Sequence, residues 1–330
     1  MSERFTSDYL VVGAGAMGMA FTDVLLTETE ATITIVDRHA RPGGHWNDSY
    51  PFVRLHQPSS FYGVNSRKLG SDTKDRVGWN SGLYELASGT EVVTYFEQVM
   101  DQQFLPSGRV RYLPMSEYLG DGLVRGLTSD QETIVESRKT VDSTYMNVTV
   151  PSVTPPSYEV TGGVRCVPPN QLPEVAEAPD GYLIVGGGKT AIDSCLWLLS
   201  NNVDPEEIRW VVPRDQWMLD RAHIQPGPEF AVQVMLRQAE TMEIAANSSS
   251  LDQMFDRLVE RGVLLRLDAA VRPTMFRCCT VTQLELDQLR RIRNVVRSGH
   301  VKKIGLNRID LDEDTITTSP NTVHVDCTAD

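Results

Sequence analysis

Apolar, β-branched runs alternate along the chain with longer amphipathic stretches, which is the pattern of an α/β protein built on parallel strands. It predicts strands at Tyr9–Val12, Thr32–Val36, Tyr182–Val185 and Ile208–Val212, and helices beginning near Met17, Thr190, Ser250 and Thr282. The helix at Ser250 is punctuated at both ends. Ser250 can cap it, Leu251, Met254, Phe255, Leu258 and Val259 form its apolar stripe, and Gly262 stops it. Pro151-Ser-Val-Thr-Pro-Pro156 reads as an extended connector, because each proline excludes the helical region for the residue before it. A domain crossing is placed there. Two short segments echo each other, Val141-Asp142-Ser143-Thr144 and Val325-Asp326-Cys327-Thr328, each after a strand-like stretch.

A length of 330 residues suits about two domains. The 41% hydrophobic and 23% charged content is ordinary for a soluble globular chain. With 31 Lys+Arg against 44 Asp+Glu the net charge is −13, which argues against a nucleic-acid-binding surface, since that needs basic patches. No apolar run approaches the ~18–20 residues that span a bilayer, so no membrane partner is expected. The apolar stretch Tyr9–Phe21 is broken by Gly13, Gly15 and Gly18 and has no basic segment before it, unlike a signal peptide. The five cysteines include no Cys-x-x-Cys pair, which removes a dithiol redox centre or thiolate zinc site and fits a reduced, cytoplasmic enzyme. Adjacent Cys278 and Cys279 read as buried small hydrophobes. The sequon Asn147-Val-Thr149 carries no weight in a cytoplasmic chain. There is no Ser-His-Asp order, metal-ligand cluster or paired-carboxylate motif.

The chemistry is concentrated in two glycine motifs. Gly13-Ala14-Gly15-Ala16-Met17-Gly18 follows an apolar strand and opens a helix, the context that a dinucleotide fingerprint requires. Gly13 would make the tight turn, Gly15 would admit a pyrophosphate and Gly18 would let the helix pack on the strand. The amides of the helix N-terminus, including those of Ala16 and Met17, would face the phosphates. Nineteen residues beyond Gly18, Asp37 ends the second strand, where a carboxylate binds an adenosine ribose. The second motif, Gly186-Gly187-Gly188-Lys189-Thr190-Ala191, also joins a strand to a helix. It is no P-loop, because Leu183 stands where that motif needs glycine. As Gly186-x-Gly188-x-x-Ala191 it fits a second dinucleotide site. Its second strand ends in Arg214, whose planar fork suits the 2′-phosphate of NADP. Asp215 follows directly and leaves an NAD ribose open as the alternative. Lys189, beside the phosphates, is a weaker candidate of the same kind.

Asp37-Arg38-His39-Ala40-Arg41-Pro42-Gly43-Gly44-His45-Trp46 closely resembles the segment that follows the ribose-binding acid in two-dinucleotide flavoproteins. Its Gly-Gly-x-Trp form looks particularly like the flavin-containing monooxygenases and Baeyer–Villiger monooxygenases. The resemblance spans nearly the whole chain, with fingerprints 173 residues apart. It implies an FAD/NAD(P)-binding Rossmann-like domain with a second Rossmann-like NADP domain inserted. The implied layout is an FAD-binding part over 1–150, a crossing linker over 151–160, an NADP-binding domain over 161–322 and a return strand to the FAD domain over 323–330. It places FAD at the first fingerprint and NADPH at the second, and puts His45, Trp46, His56 and Tyr62 near the flavin ring; Trp217 and Arg221 are candidates for a substrate cleft or for core packing.

Two departures bear on activity. The family's Phe-x-Gly, histidine and aromatic signature before the second fingerprint is absent, and the matching region reads Tyr158-Glu-Val-Thr-Gly-Gly-Val-Arg-Cys166. The family's closing FAD-domain segment would follow Asp326, and the chain stops at Asp330, so flavin is expected to be held less securely than in relatives. The implied function is an FAD-dependent, NADPH-using oxidoreductase of the flavin monooxygenase-like type acting on a small organic substrate. A flavin reductase or dehydrogenase without oxygenation, and a non-catalytic NADP-binding protein with a degenerate FAD site, remain as alternatives.

Overall fold

The computed structural model describes residues 3–145 and 150–328. The Asn147 sequon lies outside the described residues. The chain divides into two units: unit 1 is Met1–Ser49, Ser59–Ser71 and Ala87–Val150, and unit 2 is Tyr50–Pro58, Asp72–Leu86 and Pro151–Asp330. The expected boundary near 150 coincides with one of these divisions. Two short segments of the first half, 50–58 and 72–86, nevertheless belong to unit 2, which the alternation of strand and helix signals does not reveal.

Unit 1 starts with β1 (Glu3–Val12), α1 (Ala16–Glu28) and β2 (Ile33–Val36), continues through α2 (Gly89–Val99) to β3 (Val110–Leu113), and returns along β4 (Glu132–Asp142). These strands run parallel in the order β3-β2-β1-β4, and an antiparallel hairpin, Ser116–Gly120 with Leu123–Gly126, extends the β4 edge. All four residues of β2 are buried, as expected for a strand covered on both faces. The start of α2 is fixed by a capping box in which Ser88 and Glu91 each satisfy the other's backbone amide.

Unit 2 repeats this plan. β5 (Gly181–Val185), α3 (Lys189–Ser200) and β6 (Ile208–Val211) are followed by α4 (Pro228–Ala246), α5 (Leu251–Glu260) and α6 (Gln283–Leu289), then β7 (Asn294–Val296) and β8 (Thr322–Asp326). The parallel order is β7-β6-β5-β8, with Cys166–Val167 at the outer edge. In both units the third and fourth strands are joined by a small antiparallel meander instead of a helix. The predicted cap holds: the Gln253 amide donates to Ser250 Oγ, and Gly262 follows the helix end with φ +68°. Of its stripe, Leu258 is buried while Leu251 is exposed, because Leu251 sits in the first turn beyond the packed face.

The layout needs a second correction. β8 pairs along its length with β5, so residues 323–326 complete the sheet of unit 2, residues 327–328 belong to the same unit, and none returns to unit 1. The two sequence echoes are therefore equivalent positions of a repeated architecture. Val12 pairs with Asp142, and Val185 pairs with Asp326. The Ser143 amide donates to Val12 O at 2.9 Å, and the Cys327 amide donates to Val185 O at 2.9 Å. Each aspartate also accepts from the amide and hydroxyl of the threonine two residues on.

Candidate functional site

Each unit ends its first strand in a glycine turn that feeds a helix. In unit 1, Gly13 has φ +100° and its amide donates to Val36 O at 2.8 Å, so the turn is tied to β2. A side chain at Gly13 would strike Ser143 Oγ and Thr144 Cγ2, both at 2.8 Å from the added Cβ. Gly18 lies over the same turn, where an added Cβ would overlap the Gly13 carbonyl oxygen and sit 2.7 Å from Ser143 Oγ. Gly15 is the N-cap of α1, with ordinary φ and no side-chain cap. The first intrahelical bond is from Met19 to Gly15 O, so the amides of Ala16, Met17 and Gly18 have no partner within the helix.

The glycine pair of the second loop packs on this turn. The Gly43 amide donates to Ala14 O at 2.8 Å, and a Cβ on Gly44 would come within 2.9 Å of Gly15 Cα. Asp37, 6% exposed, accepts from the Ala14 amide at 2.6 Å and from the His39 amide at 2.7 Å. The His39 ring bridges Asp37 and Asp48, each 2.9 Å away. Arg38 is exposed. The Tyr112 hydroxyl, near Asp37, is buried and finds no hydrogen-bond partner among the described residues. His45 stacks on Trp46, and Trp46 donates its indole N–H to the Tyr62 hydroxyl at 2.7 Å.

In unit 2, Gly186 has φ +127°, its amide donates to Val211 O at 3.0 Å, and a Cβ would meet the Cys327 carbonyl. The buried Trp210 indole N–H closes the turn by donating to Gly186 O at 2.7 Å. Gly188 is the uncapped N-cap of α3, with nothing within 4 Å of an added Cβ. Ile192 makes the first intrahelical bond, to Gly188 O, which leaves the amides of Lys189, Thr190 and Ala191 without helical partners. Ala191 is fully buried, as the third packing position of the fingerprint requires. The Lys189 ammonium is held by Asp193, which also accepts from the Tyr50 hydroxyl at 2.7 Å. Lys189 thus faces the turn with its amide while its charge is balanced by Asp193.

At the end of β6 the two alternatives separate. Asp215 is buried, and Arg297 grips it with Nε at 2.8 Å and a terminal nitrogen at 3.2 Å. Arg214 is exposed and carries no ion pair or hydrogen bond among the described residues, while its carbonyl abuts Gly187. Sequence reasoning did not single out Arg297. The available signal was positional: it lies just past β7, the neighbour of β6.

Three further candidates find other places. His56 is a half-buried member of unit 2, and burial together with the charges of Lys189 and Arg221 presses its pKa down to about 3. Trp217 is core, stacked on Phe255 at 4.9 Å. Arg221 is 1% exposed and donates to His56 O, Asn80 Oδ1, Thr280 O and Glu285. It is the bolt that fastens segments 50–58 and 72–86 into unit 2. Phe52 adds a stack on Trp197, and Trp79 O accepts from Thr282. Cys279 is buried, whereas Cys278 is exposed with φ +54°, which corrects the expectation that both are buried.

Among the described residues no helix is long and apolar enough to cross a membrane. Residues 11–58 match the family model of an NAD(P)-binding Rossmann-like domain. Uncharacterized proteins of Mycobacterium tuberculosis (strain H37Rv) and Mycobacterium bovis are 53% identical over 329 residues, covering all of this chain and 61% of their own length. The chain therefore spans about three-fifths of those relatives. Among solved structures, a flavin-containing monooxygenase from Stenotrophomonas maltophilia superposes with a TM-score of 0.55 at 13% identity, over 98% of this chain and 78% of that one. A cyclohexanone monooxygenase from Rhodococcus sp. Phi1 bound to NADP+ gives 0.54 at 15% identity, over 99% and 71%. The chain has the two-Rossmann-unit α/β fold of the flavin monooxygenases.

Proposed function

We propose that the chain is the dinucleotide-binding portion of an FAD-dependent, NADPH-using oxidoreductase acting on a small organic substrate. The observation that carries this reading is the duplicated turn. Two uncapped helix N-termini stand at the ends of parallel strands, each with three amides that have no helical partner, one beside an acid and the other beside an arginine that makes no ion pair among the described residues. Such a donor set fits a pyrophosphate, with the helix dipole favouring the anion.

In unit 1 the amides of Ala16, Met17 and Gly18 would hold the FAD pyrophosphate. Asp37 would take the adenosine ribose, and Gly15 and Gly44 leave room because neither carries a side chain. The flavin, when bound, supplies the electron transfer. The unpartnered Tyr112 hydroxyl supports a polar ligand at the ribose end. In unit 2 the amides of Lys189, Thr190 and Ala191 would hold the NADPH pyrophosphate. Arg214 would take the 2′-phosphate, because the carboxylate of Asp215 is committed to Arg297 and has little left to offer a ribose diol. His56, neutral at physiological pH, adds no charge beside α3.

A flavin reductase that does not oxygenate its substrate is the second reading. It is favoured by the segment before the second fingerprint, where Tyr158 and Cys166 pack on the core of unit 2 in place of the family's histidine signature. The test is direct. The purified protein should be yellow, its flavin should bleach on adding NADPH without oxygen, and labelled dioxygen should mark the product only if it is a monooxygenase. A colourless protein that still binds NADPH would point to the non-catalytic alternative.

A further inference from the structure

His39 is the least expected member of the first site. Each nitrogen of its ring lies 2.9 Å from a carboxylate oxygen, Nδ1 from Asp37 and Nε2 from Asp48. A neutral imidazole has one donor and one acceptor, so one of these contacts would set two acceptors against each other. With both nitrogens protonated both contacts become charge-assisted hydrogen bonds. The geometry therefore calls for an imidazolium clamped between two acids.

The clamp decides what Asp37 has left for a ligand. A carboxylate offers about four acceptor positions. The Ala14 amide takes one on Oδ2, and the His39 amide and ring take both on Oδ1. One position remains, on Oδ2, the oxygen already turned to the glycine turn. Resting on the FAD reading of unit 1, we propose that His39 is a positioning residue which locks the Asp37 carboxylate so that Oδ2 alone receives a ribose hydroxyl, and that this lock holds while the imidazole is protonated. The short aspartate depends on this more than a longer acid would, since it cannot re-aim by turning a further methylene.

The surroundings agree. The hydrogen bond to Asp37 raises the His39 pKa above its ordinary value, and Asp48 adds to this against the opposing effect of burial. Of the other charged groups nearby, Arg41 turns to Glu97 on α2 at 3.6 Å, Arg38 is exposed, and His45 is the next ring along the loop. Tyr112, on β3, has its pKa raised by burial first and by the charges of Asp37 and Glu97, so it brings no charge. Asp37 and Asp48 dominate the field at the ring.

The experiment is FAD binding by flavin fluorescence quenching across pH, for wild type, H39Q and H39A. A parallel NMR titration follows the His39 ring with and without FAD. For wild type the affinity should be flat on the acid side of the ring's midpoint and weaken by roughly tenfold above it, the scale of one charge-assisted hydrogen bond. Linkage is reciprocal, so FAD should raise the ring's midpoint by about one pH unit. H39Q keeps a donor to Asp37 without a titrating group. It should bind within a few-fold of wild type at pH 7 with a flat profile, while H39A should bind roughly tenfold more weakly. Superimposable wild-type and H39Q profiles, or H39A binding as tightly as wild type, would overturn the inference alone. A wild-type protein that takes up no FAD at any pH would overturn the FAD reading, and this inference with it.

Discussion

The glycines of the two turns divide into those that the fold needs and those that a ligand would need, and single alanine substitutions separate them. Gly15 and Gly188 have extended N-cap backbones that any residue adopts, at φ −76° and −87°. An added Cβ at Gly15 meets Gly44 Cα at 3.5 Å, ordinary contact, and at Gly188 it meets nothing within 4 Å. Gly15→Ala and Gly188→Ala should therefore lose only the N-cap preference of glycine over alanine, about 0.5–1 kcal/mol. That is a fall in Tm of about 1–4 °C for units of this size. A methyl facing the pyrophosphate should cost binding about 1–3 kcal/mol, or roughly 5- to 150-fold, with Gly15→Ala affecting FAD and Gly188→Ala affecting NADPH. Gly18→Ala should behave oppositely. Its Cβ overlaps the Gly13 carbonyl and crowds Ser143 Oγ at 2.7 Å, so the turn must shift, and stability and FAD binding should fall together. Thermal melts without nucleotide, paired with FAD fluorescence and NADPH calorimetry, make the comparison. If Gly15→Ala melts as low as Gly18→Ala, or if Gly15→Ala and Gly188→Ala bind their nucleotides like wild type, the division is wrong.

Arg214→Ala should weaken NADPH binding roughly 10- to 100-fold and leave NADH nearly unchanged, from the loss of about 1.5–3 kcal/mol in a charge-assisted bond; calorimetric titrations giving equal losses would mark Arg214 as structural. Arg221→Ala strands Glu285 and two segments of unit 2, and should cost about 3–5 kcal/mol, read as a depressed urea midpoint, with partial recovery in Arg221→Lys. Acid should destabilise the protein through His56. Its folded pKa of about 3 lies below the ordinary 6.5, so the unfolded chain binds the extra proton, and stability present above pH 6.5 is lost as pH falls toward 3. His56→Gln should flatten that part of the urea-unfolding profile. His39 works in the other sense: its raised pKa gives stability that is full below pH 6.5 and lost as pH rises through the folded value, a slope that H39Q should remove.

Much of this was legible because strand–turn–helix geometry is local. Gly13, Gly15, Gly18, Gly186 and Ala191 could be assigned positions from spacing alone, and the structure puts them there. The echo at Asp142 and Asp326 was also visible, but its meaning was not. A strand's partner depends on which edge its hydrogen bonds find, and β8 finds β5. The Asp215–Arg297 pair spans 82 residues and the Arg221–His56 bond spans 165, so neither leaves a periodic trace. His39 was in plain view beside Asp37, but its role depends on Asp48, nine residues away across a one-turn loop, closing on its far side.

The Arg221 bolt also bears on how the chain comes off the ribosome. Its acceptors His56 and Asn80 are made 165 and 141 residues before it. At about 5–20 residues per second they wait roughly 7–33 s for the arginine that receives them. Phe52 waits 145 residues for Trp197, Trp79 waits 203 for Thr282, and unit 2 cannot complete its sheet until β8 has emerged. The sheet of unit 1 uses only strands that end at Asp142, so it can form while segments 50–58 and 72–86 still wait for Arg221. Folding of the second half is therefore the step most exposed to chaperones and proteases, and slowing translation just before residue 221 should lengthen that exposure.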